Sequence, residues 1–253
     1  MNARQVLTRT TLKNHRKGVL CIVIHKKDDS RKKKKKEEET LAGSGFIVRA
    51  ARGNRRALVM TCNHVAAYFV PPGDKLGIRA PGLDQELECE ILYQDTKKDL
   101  AIIAVFGMPE NYPALIFSSE TTLTIGTDAV LVAYYTPDKL EETNNPIPIE
   151  PGACPGSIVG PKIRETKEMD WKERMRHDCK SMSGCSGGPV IANGRVVGVQ
   201  QDGDVQQGYA ANFVTVEAVV REWAGLEDGQ AAYPRGPVRV AARLNPAYTY
   251  FNK

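Results

Sequence analysis

The chain has 253 residues, of which 42% are hydrophobic and 26% charged, with 35 Lys and Arg against 30 Asp and Glu for a net charge of +5. These are globular proportions, and a chain this long buries enough surface to need no covalent staples. No apolar run approaches the length of a membrane span, so no membrane partner is expected.

The charge excess is local. Arg31 to Lys36 is a six-residue basic run, but Glu37, Glu38 and Glu39 follow at once. The run reads as a solvated loop, with a nuclear-localisation signal as the alternative. No basic face with interleaved aromatics argues for nucleic acid. The six cysteines stand at 21, 62, 89, 154, 179 and 185 without a CxxC pair, which gives zinc little support. Cys21, Cys62 and Cys89 lie in apolar contexts where free thiols pack as small hydrophobes. A reducing, intracellular compartment fits this usage, the cytoplasm first and the nucleus or an organelle as alternatives.

Met1 to Lys17 is polar and basic with no apolar core of signal-peptide length. It reads as a frayed terminus, with a weak targeting segment as the other possibility. Gly18 to Ile24 is a strand buried on both faces, and Lys26 to Glu39 a charged loop. Ser44 to Val48 and Ala57 to Thr61 are two strands joined through Gly53-Asn54. Val70 to Asp74 is a loop. Glu86 to Tyr93 alternates, with Leu87, Cys89 and Ile91 on one face and Glu86, Glu88 and Glu90 on the other, as a half-buried strand does. Asp99 opens the strand Leu100 to Val105.

Gly107 to Ser119, with two prolines, reads as a crossing segment. Ala129 to Tyr135 is an apolar strand, Thr136 to Pro151 an exposed loop, and Gly156 to Gly160 a further strand. Lys162 to Arg176 is a charged hairpin around Trp171. Pro189 to Ala192 and Arg195 to Gln201 form a hairpin on an Asn193-Gly194 turn. Tyr209 to Val214 is the last strand. Thr215 caps a helix over Val216 to about Trp223, where Val216, Val219, Val220 and Trp223 share a face, and Gly225 stops it. Leu226 to Lys253 belongs to no nameable element.

The densest chemistry lies in Gly184-Cys185-Ser186-Gly187-Gly188-Pro189. Its glycines permit a sharp turn, which can aim the N–H groups of Gly184 and Ser186 at one point as an oxyanion hole beside a free Ser186 hydroxyl. A glycine-rich hairpin with an incidental serine is the bland alternative. Thr61-Cys62-Asn63-His64-Val65-Ala66 follows one apolar run and Asp99 opens another. Alone, His64 is a loop histidine and Asp99 a strand-entry cap.

Taken in the order His64, Asp99, Ser186, and with Gly43-Ser44-Gly45-Phe46-Ile47-Val48 and Gly194-Arg195-Val196-Val197-Gly198-Val199, the chain resembles a trypsin-like (chymotrypsin-fold) serine protease. It is nearest in flavour to the HtrA/Deg and glutamyl-endopeptidase branches, without a PDZ domain. The resemblance covers roughly residues 17 to 224. It implies an all-β fold of two six-stranded antiparallel Greek-key barrels with a C-terminal helix: barrel one over about 18–106, barrel two over about 123–214 and the helix over 215–224. Residues 1–17 form an N-terminal segment and 225–253 a tail.

It further implies a serine endopeptidase acting on polypeptides through an acyl-enzyme, with His64 as base, Asp99 as orienter, Ser186 as nucleophile, and Gly184 and Ser186 as the oxyanion hole. No metal or cofactor is implied. Lys180, Ser181, Gln200, Gln201 and Asp202 are expected near the substrate pocket. No acid stands at its base, which speaks against a Lys/Arg preference; Lys180 either favours an acidic residue or faces solvent. His177 is expected to pack near the pocket. Cys185 is a rival nucleophile, as in viral relatives, but the Gly-x-nucleophile-Gly-Gly register fits Ser186. Val65 follows His64 where secreted members carry a paired cysteine. A catalytically weak or inactive pseudoprotease that binds peptides, and an adaptor docking through the Lys-rich loop and the tail, remain open.

Overall fold

Strand β1 (Val19–Lys26) begins with six consecutive apolar residues, four of them β-branched, and all six are buried. Such a run is stable only where both faces of the strand are covered. Here one face fills a barrel and the other meets a second barrel. In the computed structural model the described residues are 1–26, 38–118, 123–135, 148–162, 174–203 and 206–212, with positions 216, 219, 220 and 223.

The first barrel contains β1, β2 (Glu38–Arg49), β3 (Ala57–Thr61), β4 (Lys75–Arg79), β5 (Leu87–Asp95) and β6 (Leu100–Val105). The second contains β7 (Asp128–Ala133), β8 (Gly152–Lys162), β9 (Arg174–His177), β10 (Pro189–Ala192), β11 (Arg195–Gly203) and β12 (Gly208–Asn212). All pairings between these strands are antiparallel, and both barrels close in the same order: β1-β2-β3-β6-β5-β4 and β7-β8-β9-β12-β11-β10. The all-β, two-barrel expectation therefore holds.

Strand β7 shows how two cores are built from one segment. Ala129, Leu131 and Ala133 point into barrel two, whereas Val130 and Val132 join the core shared with barrel one. The period of two does this. Each buried valine at the seam contributes about 1.5–3 kcal/mol by leaving water. The crossing segment is stitched to both barrels: Leu115 N–H donates to Ile47 O, and Ser118 N–H donates to Val196 O, each at 2.8 Å. The positions 216, 219, 220 and 223 are helical; the three valines are buried, and Trp223 stacks on Tyr93 of barrel one with centroids 5.5 Å apart.

Two expectations need correction, and one strand was not expected. The amino terminus is not frayed: Ala3–His15 is a helix, α1, closed by a capping box in which Asn2 and Gln5 exchange hydrogen bonds of 2.9 Å. It packs on β7 and β8 and buries Thr11. Its polar, basic composition concealed it, because docking rather than a strong apolar stripe holds it. Strand β4 follows the Val70–Asp74 loop in a stretch to which the sequence reading assigns no element; Gly77 interrupts its pattern, yet Leu76 and Ile78 are buried and its edge pairs with β1 to close the barrel. β2 begins at Glu38, inside the stretch read as loop, because it pairs with β1 as far as Lys26. The basic run 31–36, the loop residues 136–147, the hairpin residues 163–173 and the tail 225–253 lie outside the described residues.

Candidate active site

The seam between the barrels brings three chain-distant side chains to one cleft. His64, Asp99 and Ser186 line it together with Arg174, Ser181, Met182, Ser183, Gln201, Asp202 and Gly203. His64 lies on a short helix, α2 (Asn63–Ala67), directly after β3. Asp99 sits in the turn entering β6 with a left-handed backbone, φ 53°, a conformation aspartate tolerates better than most residues. Its carboxylate receives two bonds from one residue: His64 N–H donates to Oδ1 at 2.9 Å, and His64 Nδ1–H to Oδ2 at 2.8 Å. With Nδ1 so protonated, Nε2 keeps its lone pair. The imidazole side chain is 41% exposed and the carboxylate 13%, so the ring faces the cleft and the acid is shielded behind it.

Ser186 follows a tight turn. Cys185 N–H donates to Met182 O at 3.1 Å, and Gly184 stands at φ 88°, the third position of a type II turn. No described group accepts from the N–H of Gly184 or Ser186. The Ser186 hydroxyl donates to Gln201 O at 3.3 Å. Cys185 points the other way: its buried Sγ accepts from Met182 N–H at 3.3 Å, and burial pushes its thiol up to about 12. A protonated, inward thiol is not placed to attack.

The turn is anchored by Ser44, which stands between Gly43 and Gly45 in β2. Ser44 N–H donates to Ser186 O at 2.8 Å, and Ser44 Oγ–H to Gly184 O at 2.7 Å. Tyr134 N–H and Thr61 Oγ1 complete the cluster through Ser44 Oγ and Ser44 O. A side chain at Gly43 would strike Ser186 O, 2.9 Å from the added carbon. The Gly43-Ser44 pair of β2 thus marks the close approach between the barrels, whereas Gly45 is confined by Val59, Met60 and Ile22 within barrel one.

Gln201 is the extra residue of a bulge in β11, between the paired Gln200 and Asp202. Bulges re-aim side chains next to functional sites. Its amide donates to the carbonyls of Lys98 at 2.6 Å and Asp99 at 3.1 Å, so it tethers the acid-bearing turn of barrel one to barrel two.

Of the other residues expected at the pocket, Ser181 and Asp202 line the cleft, and Gln200 is buried behind it. Lys180 is exposed and is not a lining residue, the solvent-facing one of its two alternatives. Arg174, buried at 5% exposure, was missed because it falls at the end of a charged stretch read as hairpin. His177 is fully buried, and burial lowers its pKa to about 4.

Cys62 Sγ, a His64 ring nitrogen and an Asp99 carboxylate oxygen lie within 4.8 Å of one another. These atoms do not form a vacant ligand set. Burial holds the Cys62 thiol protonated, its Sγ–H donates to Gln200 O at 2.9 Å, and His64 Nδ1 is committed to Asp99.

Residues 43–199 match the family model described as Trypsin-like peptidase domain. The chain belongs to this family. The trypsin-like match contains His64, Asp99 and Ser186 and spans more than half of the sequence. No curated protein matches the chain. Among solved structures, the Rv3671c protease of M. tuberculosis in its inactive form is 21% identical, with 87% of this chain and 96% of that chain covered at a TM-score of 0.61. Deg5 is 18% identical over 87% of this chain and 94% of its own, TM-score 0.62. The HtrA-type protease AlgW with decapeptide is 15% identical over 85% and 66%, TM-score 0.65. At these identities the likeness establishes the shared double-barrel fold.

Proposed function

We propose that this trypsin-like domain is a serine endopeptidase in which His64, Asp99 and Ser186 act as the triad. The observation that carries the proposal is the double hydrogen bond from His64 to Asp99 in the cleft that Ser186 also lines. A serine hydroxyl attacks a peptide carbonyl only if a base removes its proton, and that base works only in the right tautomer. Asp99 fixes the proton on Nδ1, leaving Nε2 to accept. For transfer, the Ser186 hydroxyl exchanges its Gln201 acceptor for Nε2. The acyl-enzyme then forms at Ser186 Oγ, and the leaving amine takes the proton back from His64. The N–H groups of Gly184 and Ser186 supply the oxyanion donors; removing one such donor costs about 10²–10³-fold in turnover. Deacylation repeats the cycle with water.

The hydrogen bond from Ser186 to Gln201 O favours one second reading, a peptide-binding module whose serine is held away from its base. Fluorophosphonate labelling separates the two. The endopeptidase reading expects a covalent adduct mapped by mass spectrometry to Ser186 and lost in Ser186→Ala; an unlabelled wild type supports the binder.

A further inference from the structure

Ser186 rides on residues 178–188, the segment between β9 and β10. Helix α1 touches the anchors at both ends of that segment from outside the barrel. At the first anchor Ser157 and Asp178 exchange bonds: Asp178 N–H donates to Ser157 O at 3.1 Å, and Ser157 N–H donates to Asp178 Oδ1. Arg4 Nη2–H donates to Ser157 Oγ at 3.1 Å. The junction has no slack, since a carbon added at Gly156 would strike the Cys179 backbone nitrogen and Sγ. Burial pushes the Cys179 thiol up to about 12 and the Arg4 charge weakly opposes it, so the guanidinium is felt inside the segment. Just beyond Cys179, Ser181 and Met182 wall the cleft.

The second anchor is the turn of the β10–β11 hairpin. The His15 ring lies between two carbonyl oxygens, with Nδ1 2.8 Å from Thr11 O and Nε2 3.3 Å from Gly194 O. Between the anchors α1 packs on β7 and β8. β7 is also the strand on which β10 closes the barrel, through two residue pairs, Val190 with Leu131 and Ile191 with Val130. The helix thus ties Ser157 on β8 to Gly194 beyond β10, across that short seam. Its hold is mostly polar: Thr11 is buried, while Leu7 and Leu12 are half-buried. A helix of 13 residues is marginal in water on its own. A released α1 therefore melts.

We propose that α1 is a strap that holds the nucleophile segment in its working position, with Arg4 and His15 as the positioning residues that latch it. For its effect on turnover the proposal rests on the serine-endopeptidase reading. With the strap docked, residues 178–188 are pinned at both ends, and the N–H groups of Gly184 and Ser186 keep one alignment. With it released, the Ser157–Asp178 junction and the Asn193-Gly194 turn move independently, and the turn over 182–185 loses its fixed frame. Errors of position act on the chemical step more than on substrate binding. The Arg16–Glu150 ion pair beyond the helix is exposed and adds little to the latch.

The test is hydrogen exchange of the full-length protein, read by mass spectrometry alongside fluorophosphonate labelling and kinetics on a peptide substrate. In the double variant Arg4→Ala, His15→Ala the amides of 3–15 should lose protection. Those of 178–186 should exchange ~10-fold faster, while β3 and β6 keep their wild-type rates. Labelling and kcat should fall on the order of 10-fold with KM within a few-fold. Arg4→Lys, which keeps a cationic donor, should exchange and turn over as wild type, as should Arg9→Ala on the exposed side of α1. Full protection of 3–15 in the double variant overturns the latch. A melted α1 with unchanged exchange at 178–186 overturns the strap, as does a loss confined to KM. A uniform rise in exchange across both barrels overturns it too, since that marks a general loss of stability. Should the double variant not fold, the two single variants are read by the same criteria. Exchange needs no catalysis, so a wild-type protein that does not label overturns the endopeptidase reading while the exchange pattern still decides the strap.

Discussion

Gly187→Ala isolates what holds the nucleophile turn against barrel one. Gly187 has φ 85°, and a methyl group there would fall well inside contact distance of Ser44 O and Thr61 Oγ1. Forcing an L-residue into the left-handed region costs roughly 1–2 kcal/mol. Overpacking into backbone adds about 1–3 kcal/mol, and losing the bond from Thr61 Oγ1–H to Ser44 O about 1 kcal/mol more. The total is about 3–6 kcal/mol, or on the order of 10 °C in Tm for a domain of this size. Gly194→Ala is the control. Its φ is 69°, but nothing lies within 4 Å of the added carbon. It should lose only the backbone cost, roughly 1–2 kcal/mol. Calorimetry of the two variants reads the difference, and labelling should be lost in Gly187→Ala while Gly194→Ala labels as wild type. Equal melting temperatures would refute the packing argument.

Other outcomes follow from the same contacts. Gln201→Ala releases the Lys98–Asp99 turn, and a misplacement of that order should lower kcat by ~10–100-fold with KM changed far less; steady-state kinetics on a peptide substrate reads the split. His177 is neutral when buried and ordinary when unfolded, so the unfolded chain binds the extra proton between about pH 6.5 and its folded value of about 4. Stability is full above that window and falls on acidification through it, by on the order of 3 kcal/mol. Denaturation midpoints measured across pH should lose part of this slope in His177→Gln. Trp223→Ala removes the stack on Tyr93 and should destabilise by about 2–4 kcal/mol, seen as a lower denaturant midpoint.

The parts of the fold legible in the sequence were those whose pattern is local. β1, β3 and β6 are unbroken apolar runs, and the β10–β11 hairpin announces itself by Asn193-Gly194, both at positive φ. The order of the His64, Asp99 and Ser186 blocks named the cleft. What escaped depends on contacts between distant segments. β4 is a strand because β1 needs an edge partner, and α1 is a helix docked on β7 and β8. Nothing near Ser44 in the chain reveals that it grips residues 184 and 186. Arg174 and Lys180 are both cations near the nucleophile in sequence, and only the fold decides which is buried against the cleft. The hydrogen bond between His177 and Gln200 spans 23 residues and two strands, beyond any motif.

The most direct test of the account is trapping the intermediate. The full-length protein is mixed with an activated acyl ester at low pH, where deacylation is slow, and the adduct is mapped by tandem mass spectrometry. The account predicts one acyl group on Ser186, formed on the order of 10⁴-fold more slowly or not at all in His64→Ala. Acylation at Cys185, or at Ser186 with a rate indifferent to His64, would contradict it.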